Sequence, residues 1–339
     1  MNRIKIGQIG ICHEHAGAKM DALRRLPEVF EIVGVVDDRA TSAARFAGDD
    51  VTPYDGLTWM TEEQLRQVPG LQAVTVETPN DDLVSTALRC LELGLPMHLD
   101  KPGGEDLALF RRLLAGCSER QLPLQMGYMF RHNPAMQFCR RALREDWLGG
   151  IFELQASMSH DYGGEPYQRY LAQFRGGIMF NLGCHLIDFV VALMGRPEQV
   201  TPILKSAPGY EDTVHNNALA VLEYPHATAT LRACSLEVDG LNRRSLKICG
   251  TKGTLELSPL ERFDGRPLLL TMTLREPNDS YPAGTHTVDC GIQEDRYVDQ
   301  LLEFARIIRG ETTNPYTYEH DDLAQEVLLA ASDITKWRN

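Results

Sequence analysis

Lys101 stands between an apolar run, Pro96 to Asp100, and Pro102. If that run is a parallel strand, the ammonium sits at the carboxyl mouth of the sheet, the edge where such sheets bind ligands. There it would lower the pKa of an alcohol and stabilise developing alkoxide charge. His185 lies in a second apolar stretch, four residues after Asn181 and three before Asp188. On a regular helix these side chains share one face. Imidazole titrates near neutrality, the range that general acid/base work needs. Asn181 can orient a histidine but cannot take up its proton. Asp188 reads as buried structure or as a substitute orienting carboxylate.

A third cluster opens the chain. Gly7, Ile9, Gly10, Ile11, Cys12 and His13 form the turn after the first strand. Glycines at such a turn let backbone approach a pyrophosphate, and a helix N-terminus directs free N–H groups at it. The turn reads GxxGxxH rather than GxGxxG, so the third glycine is missing. Asp37 ends the second strand, where an acidic residue binds ribose hydroxyls and repels a 2′-phosphate. That favours NAD, with NADP left possible because Arg39 is close. His13 and His15 form an HxH pair with no acidic or histidine partner visible nearby. No metal is expected there.

Elements must position these groups. The first third alternates short β-branched strands (3–11, 30–37, 71–77, 96–100, 123–127) with helices (16–26, 41–47, 81–93, 105–120). This is the pattern of a parallel sheet with right-handed crossovers. Beyond Tyr128 the rhythm changes. Helices are expected over 134–144 and 177–194, and strands over 151–160, 216–224, 227–237, 244–250 and 253–257, with a hairpin turn at Pro225-His226. Several of these alternate apolar with polar, as an antiparallel sheet with one covered face does. Two helices, near 295–309 and 319–337, close the chain. The expected fold is therefore α/β: a Rossmann parallel sheet over residues 1–126, then an α+β domain with a large, mostly antiparallel sheet over 127–339.

Three segments carry a family resemblance: Glu77-Thr78-Pro79-Asn80, Leu99-Asp100-Lys101-Pro102, and the run Gly176 to Asp188 containing Asn181, Gly183 and His185. With the N-terminal turn they resemble the Gfo/Idh/MocA oxidoreductases, such as glucose–fructose oxidoreductase and inositol dehydrogenase, over essentially the whole chain. The resemblance implies a cofactor site that includes Thr78, Pro79, Asn80, Asp100, Lys101 and Pro102. It implies that Lys101 hydrogen-bonds the reacting oxygen and that His185 is the general acid/base. The family's aspartate is replaced here by Asn181, and its EKP motif reads DKP. Tyr128, Arg131, His160, Tyr162 and Arg175 are the candidates for the substrate side. The expected reaction is hydride transfer between nicotinamide and a secondary alcohol or ketone of a sugar, cyclitol or related polyol. The rivals are NAD-assisted glycoside cleavage or elimination without net redox change, and a non-catalytic NAD-binding sensor, which Asn181 keeps open.

Composition bounds the partners. The net charge of -13 over 339 residues argues against nucleic acid or an anionic membrane as partner, since either would need a basic face. The N-terminus has no apolar signal core, and eight scattered cysteines lack any CxxC pair. A cytoplasmic location, free thiols, a small-molecule substrate and a homo-oligomer of two or four copies are the matching expectations.

Overall fold

The structure is a computed structural model that describes residues 2–42 and 48–338. The chain folds into two compact units, residues 1–128 with 297–325 and residues 129–296 with 326–339.

The first unit is built on six parallel strands: β1 (Ile4–Ile9), β2 (Phe30–Val36), β3 (Trp59–Met60), β4 (Ala73–Val76), β5 (Met97–Leu99) and β6 (Leu124–Met126). Their spatial order is β3-β2-β1-β4-β5-β6, which reverses direction between β1 and β4, the switch point at which such sheets hold ligands. The strands read as apolar runs because both faces are covered. Four helices belong to this crossover pattern: α1 (Ala16–Arg24), α2 (Glu62–Arg66), α3 (Asn80–Glu92) and α4 (Leu107–Glu119). The strand β3 and the helix α2 were not expected. The two-residue β3 is too short to show a period, and α2 is announced only by a Thr61–Gln64 capping box. The helix expected over 41–47 lies largely outside the described residues.

The second unit holds α5 (Pro134–Arg144), α6 (Glu165–Leu171), α7 (Cys184–Met194) and an eight-stranded sheet of β7 (Ile151–Ser159), β8 (Gln199–Lys205), β9 (Asn217–Tyr224), β10 (Ala227–Cys234), β11 (Ser245–Gly250), β12 (Gly253–Leu257), β13 (Leu269–Leu274) and β14 (Gly284–Asp289). The order is β14-β13-β12-β11-β7-β10-β9-β8. Only the β7/β10 pair is parallel. Alternation fixes which face is covered: Leu154, Ala156 and Met158 of β7 and Ala229, Leu231 and Ala233 of β10 are buried. The turn at Pro225-His226 joins β9 to β10, with Tyr224 paired to Ala227. At α5, Asn133 accepts the Ala135 and Met136 N–H groups and Pro134 follows at the first helical position, the preferred N-terminal arrangement.

Two closing helices, α8 (Val298–Ile308) and α9 (Tyr318–Ala331), come last in sequence. Leu301, Phe304 and Ala305 of α8 nevertheless join the core of the first unit, with Ile4, Ile6, Leu23 and Phe30. An amphipathic helix settles wherever its apolar stripe finds a core, and sequence position says nothing of which core that is.

One expected element is corrected. The helix over 177–194 does not run as a single α-helix. Met179–Gly183 is a π-helical turn, and α7 starts only at Cys184. A π turn spaces its bonds five residues apart rather than four. Asn181 and His185 therefore do not stand in the simple one-turn register that the sequence suggested. Gly177, at φ +51, precedes this turn, and a Cβ there would lie 2.2 Å from the His215 carbonyl oxygen.

Candidate active site

Each unit carries its own set of candidate groups. In the first, the loop after β1 turns at Gly10, which has φ +94. A Cβ at Gly10 would lie 2.6 Å from the Thr78 nitrogen and 2.7 Å from the Glu77 carbonyl. Only glycine allows both that dihedral and that approach. The loop after β1 is thereby sealed against the loop after β4. His13 donates its backbone N–H to the Glu77 carbonyl at 3.2 Å, and the Gly10 N–H reaches Val36 at 3.1 Å. Gly7, Ile9 and Cys12 are packed around this turn, and Ile9 and Cys12 are buried.

The carboxylates beyond β2 divide their work in a way the sequence did not show. Asp37 is exposed and grips Arg39 through both oxygens, at 2.6 to 3.0 Å. Asp38 is buried and accepts the Ile11 N–H at 2.9 Å. The Ile11 amide, expected to face the cofactor, is thus spent on tying the first turn to the end of β2. Adjacent aspartates gave no sequence signal for which of them turns inward.

Thr78, Pro79 and Asn80 lead into α3 and are buried. Neither polar atom of the Asn80 side chain has a hydrogen-bond partner among the described residues, and the same holds for His13 Nε2. A buried polar group without a partner costs roughly 1–3 kcal/mol. Such groups beside a glycine turn and a helix N-terminus at the switch point fit a polar, anionic ligand.

At the mouth of β5, Asp100, Lys101 and Pro102 are buried. Here the expectation for the HxH pair is corrected. His13 and His15 do have an acidic partner, Asp100, brought from a distant stretch of the chain. Asp100 lies 3.1 Å from His13 Nδ1 and 3.0 Å from His15 Nδ1, and it also accepts the Lys101 N–H at 2.7 Å. Lys101 Nζ lies 3.5 Å from Glu14 Oε1, and that same oxygen is 3.4 Å from His15 Nε2. Burial pushes the Asp100 carboxyl up, but His13 and His15 outweigh it and hold Asp100 well below the usual carboxylate range. Burial, together with the Asp100 charge, pushes Glu77 well above it. Burial lowers His15, against the pull of Asp100. The donor atoms of His13, His15 and Asp100 lie within 4.8 Å of one another.

In the second unit, His185 is buried in α7 with the Phe130 ring 5.9 Å away. Asn181 donates from Nδ2 to the Tyr167 hydroxyl at 3.1 Å. Tyr167 was not singled out in the sequence, because a tyrosine in the short α6 has no pattern to distinguish it. Asp188 forms a buried two-pronged pair with Arg131, at 2.6 to 3.2 Å. Arg131, expected on the substrate side, is held in that pair. Tyr128 closes the first unit, is buried, and belongs to a different unit from Arg131. Arg175 is exposed.

His160 and Tyr162 stack with ring centroids 4.2 Å apart, and with Asp161, Gly240, Phe263 and Arg296 they line a cleft of about 440 Å³. Arg244, another residue the sequence did not mark, is buried beneath them and lies 3.1 Å from His160 Nδ1, with Glu261 as its ion-pair partner. Stacked aromatic faces with charged hydrogen-bonding groups around them suit a polar ring with hydroxyls.

Comparison with known proteins follows the same lines. Residues 136–256 match the family model described as GFO/IDH/MocA C-terminal domain. The chain is 26% identical to trans-1,2-dihydrobenzene-1,2-diol dehydrogenase of Sus scrofa over 238 residues, covering 69% of this chain and 68% of the relative. It is 25% identical to D-apiose dehydrogenase of Paraburkholderia graminis over 258 residues, covering 74% and 65%. Among solved structures, an oxidoreductase from Agrobacterium radiobacter in complex with NAD+, L-tartaric acid and magnesium superposes with a TM-score of 0.80 at 18% identity, over 98% of this chain and 96% of that one.

Proposed function

Because residues 136–256 match the family model described as GFO/IDH/MocA C-terminal domain, we propose that the chain is a nicotinamide-dependent dehydrogenase acting on a secondary alcohol, or its ketone, of a sugar, cyclitol or related polyol. The observation that carries this reading is Lys101: a buried ammonium at the carboxyl mouth of β5, beside the switch point of a β3-β2-β1-β4-β5-β6 sheet. A fixed cation in a site that excludes water stabilises developing alkoxide charge strongly.

The bound dinucleotide would supply the hydride chemistry, and the residues of this chain supply position and electrostatics. Gly10 and the N-terminus of α3 form the cradle for its phosphates, with Asn80 and His13 as side-chain donors. Asp37 is the group for the ribose hydroxyls. Its carboxylate disfavours a 2′-phosphate, so the reading is NAD before NADP. Lys101 holds the substrate oxygen, and His185 moves a proton among the second unit's groups. Asn181, tied to Tyr167, orients those groups without adding charge. His160 and Tyr162 offer a ring-stacking wall in the second unit. The relatives named as dehydrogenases of a dihydrodiol and of apiose support a vicinal-diol or sugar substrate.

The test is a panel of aldoses, cyclitols, sugar acids and vicinal diols, following reduced-nicotinamide absorbance with NAD and with NADP. Reduction of NAD by one class of polyol is expected. Tight NAD binding with no net reduction across the panel would turn the reading toward chemistry without net redox change.

A further inference from the structure

Lys101 raises a question of proton traffic. It is buried, so a proton that it takes from a substrate hydroxyl needs a way out. In the second unit, Asn181 is an amide and cannot take up a proton.

The loop His13-Glu14-His15 supplies connected groups on the lysine side. Glu14 Oε1 is 3.5 Å from Lys101 Nζ and 3.4 Å from His15 Nε2. His15 Nδ1 is 3.0 Å from Asp100 Oδ2 and 3.2 Å from Oδ1. A carboxylate can only accept, so the proton on His15 must sit on Nδ1, facing Asp100. That leaves the Nε2 lone pair facing the Glu14 carboxylate. Two acceptors at that distance form a slot that is completed by one proton. The His15 side chain is 22% exposed and that of Glu14 16%, whereas those of Asp100 and Lys101 are 1% and 2%. The line therefore runs from the interior towards water.

We propose that Glu14 and His15, with Asp100 fixing the His15 tautomer, form a proton relay that serves Lys101. A bound oxidised nicotinamide cofactor would take the hydride in alcohol oxidation. Lys101 passes one ammonium proton to Glu14 and takes the proton of the substrate oxygen in its place, and Glu14 passes one to His15 Nε2. The imidazolium so formed is stabilised by Asp100 at its Nδ1 and releases the proton to water. Ketone reduction runs the same steps backwards. An anionic partner that holds the tautomer and steadies the charged ring is the recurring logic of carboxylate–histidine pairs.

The charges around the cluster agree with a relay rather than a bound dication. Asp100 and Glu14 are matched by Lys101 and by Lys19, whose Nζ is 3.8 Å from Glu77. Glu77 is pushed toward its neutral form. His13, whose Nδ1 is 3.1 Å from Asp100 Oδ2, and the Tyr297 ring, 6.1 Å from that of His15, are the other titratable groups of the first unit against His15 and Asp100.

The proposal rests on Lys101 holding the reacting oxygen, and its test separates the two. ¹⁵N-histidine NMR of the NAD-bound protein, with the His15 signals assigned by their loss in His15→Gln, reads the tautomer without any substrate. The expected result is an Nδ1-protonated neutral ring whose pKa rises in Lys101→Met and falls in Glu14→Gln. An Nε2-protonated ring, or a pKa indifferent to both substitutions, would overturn the relay. With a polyol that is turned over, Glu14→Gln and His15→Gln should each lower kcat by about a hundredfold or more and remove its acid limb, with NAD affinity little changed. If Lys101→Met abolishes turnover while both relay variants keep the wild-type pH profile, the relay is wrong and the dehydrogenase reading stands. If Lys101→Met turns over normally, the reading beneath it has failed. A stoichiometric divalent metal that copurifies and is lost in His13→Ala would also overturn the relay.

Discussion

At the scale of single residues, Asn181 is the departure with the most chemical consequence. Its amide donates to the Tyr167 hydroxyl, so it fixes geometry without adding charge. Replacing it by aspartate would put a carboxylate among the second unit's candidate groups. A nearby negative charge favours the protonated imidazole. Asn181→Asp should therefore move the His185-dependent limb of the pH–rate profile upward, with NAD affinity largely intact, and His185→Asn should remove that limb. A pH–rate profile of the three proteins checks this; an unmoved limb in Asn181→Asp would separate the two residues functionally. Glu77 carries a second residue-scale prediction. Its folded pKa is raised well above the ordinary 4.5, by burial and by Asp100. Between those two values the folded state holds a proton that the unfolded state releases, so the group costs stability as pH rises above about 4.5. Glu77→Gln keeps the shape of the neutral acid. It should raise the melting temperature at neutral and alkaline pH, with the gain vanishing in acid. An equal gain at all pH values would place the effect in packing instead.

At the scale of elements, the turn after β1 is tightly constrained by the positive φ of Gly10 and its approach to the Glu77–Thr78 backbone. Gly10→Ala would force an unfavourable positive φ on alanine and drive a methyl group into the Glu77–Thr78 backbone. It should weaken NAD binding by at least about tenfold, a cost of about 1.4 kcal/mol, and lower stability as well; calorimetry with NAD is the check. Elements with a clear period were legible in the sequence. The strands around Ile4, Phe30 and Ala73, and the hairpin at Pro225-His226, could be read because apolar runs and turn residues are local signals. What escaped was set by tertiary contact. The π turn at Met179–Gly183 cannot be told from α-helix by hydrophobic pattern. The pairing of Asp100 with His13 and His15 joins distant stretches of the chain. The buried role of Asp38 beside the exposed Asp37 depends on which carboxylate meets the Ile11 amide. The site residues named from sequence are therefore mostly those lying in motifs, whereas Glu14, Tyr167 and Arg244 emerge only once the chain is folded.

At the scale of the whole molecule, the chain returns to its first unit after completing the eight-stranded sheet. Phe304 of α8 is fully buried among the core residues of that unit. Phe304→Ala should cost about 3–5 kcal/mol, and urea unfolding would register it as destabilisation of the first unit, with loss of NAD-dependent stabilisation at lower denaturant. Retained NAD stabilisation with an unchanged midpoint would contradict the assignment of α8 to that core. Among the described residues no helix is long and apolar enough to cross a membrane.

The central claim is that Lys101 stabilises charge on the reacting oxygen of a polyol while the nucleotide is held by other residues. The direct measurement pairs turnover, followed by reduced-nicotinamide absorbance, with calorimetric NAD affinity, in wild type and Lys101→Met. The account predicts turnover lower by a factor of about 100 to 1,000, the loss associated with removing one oxyanion donor, and an NAD affinity that changes little. Near-normal turnover in Lys101→Met, or turnover and NAD affinity falling together by the same factor, would contradict it.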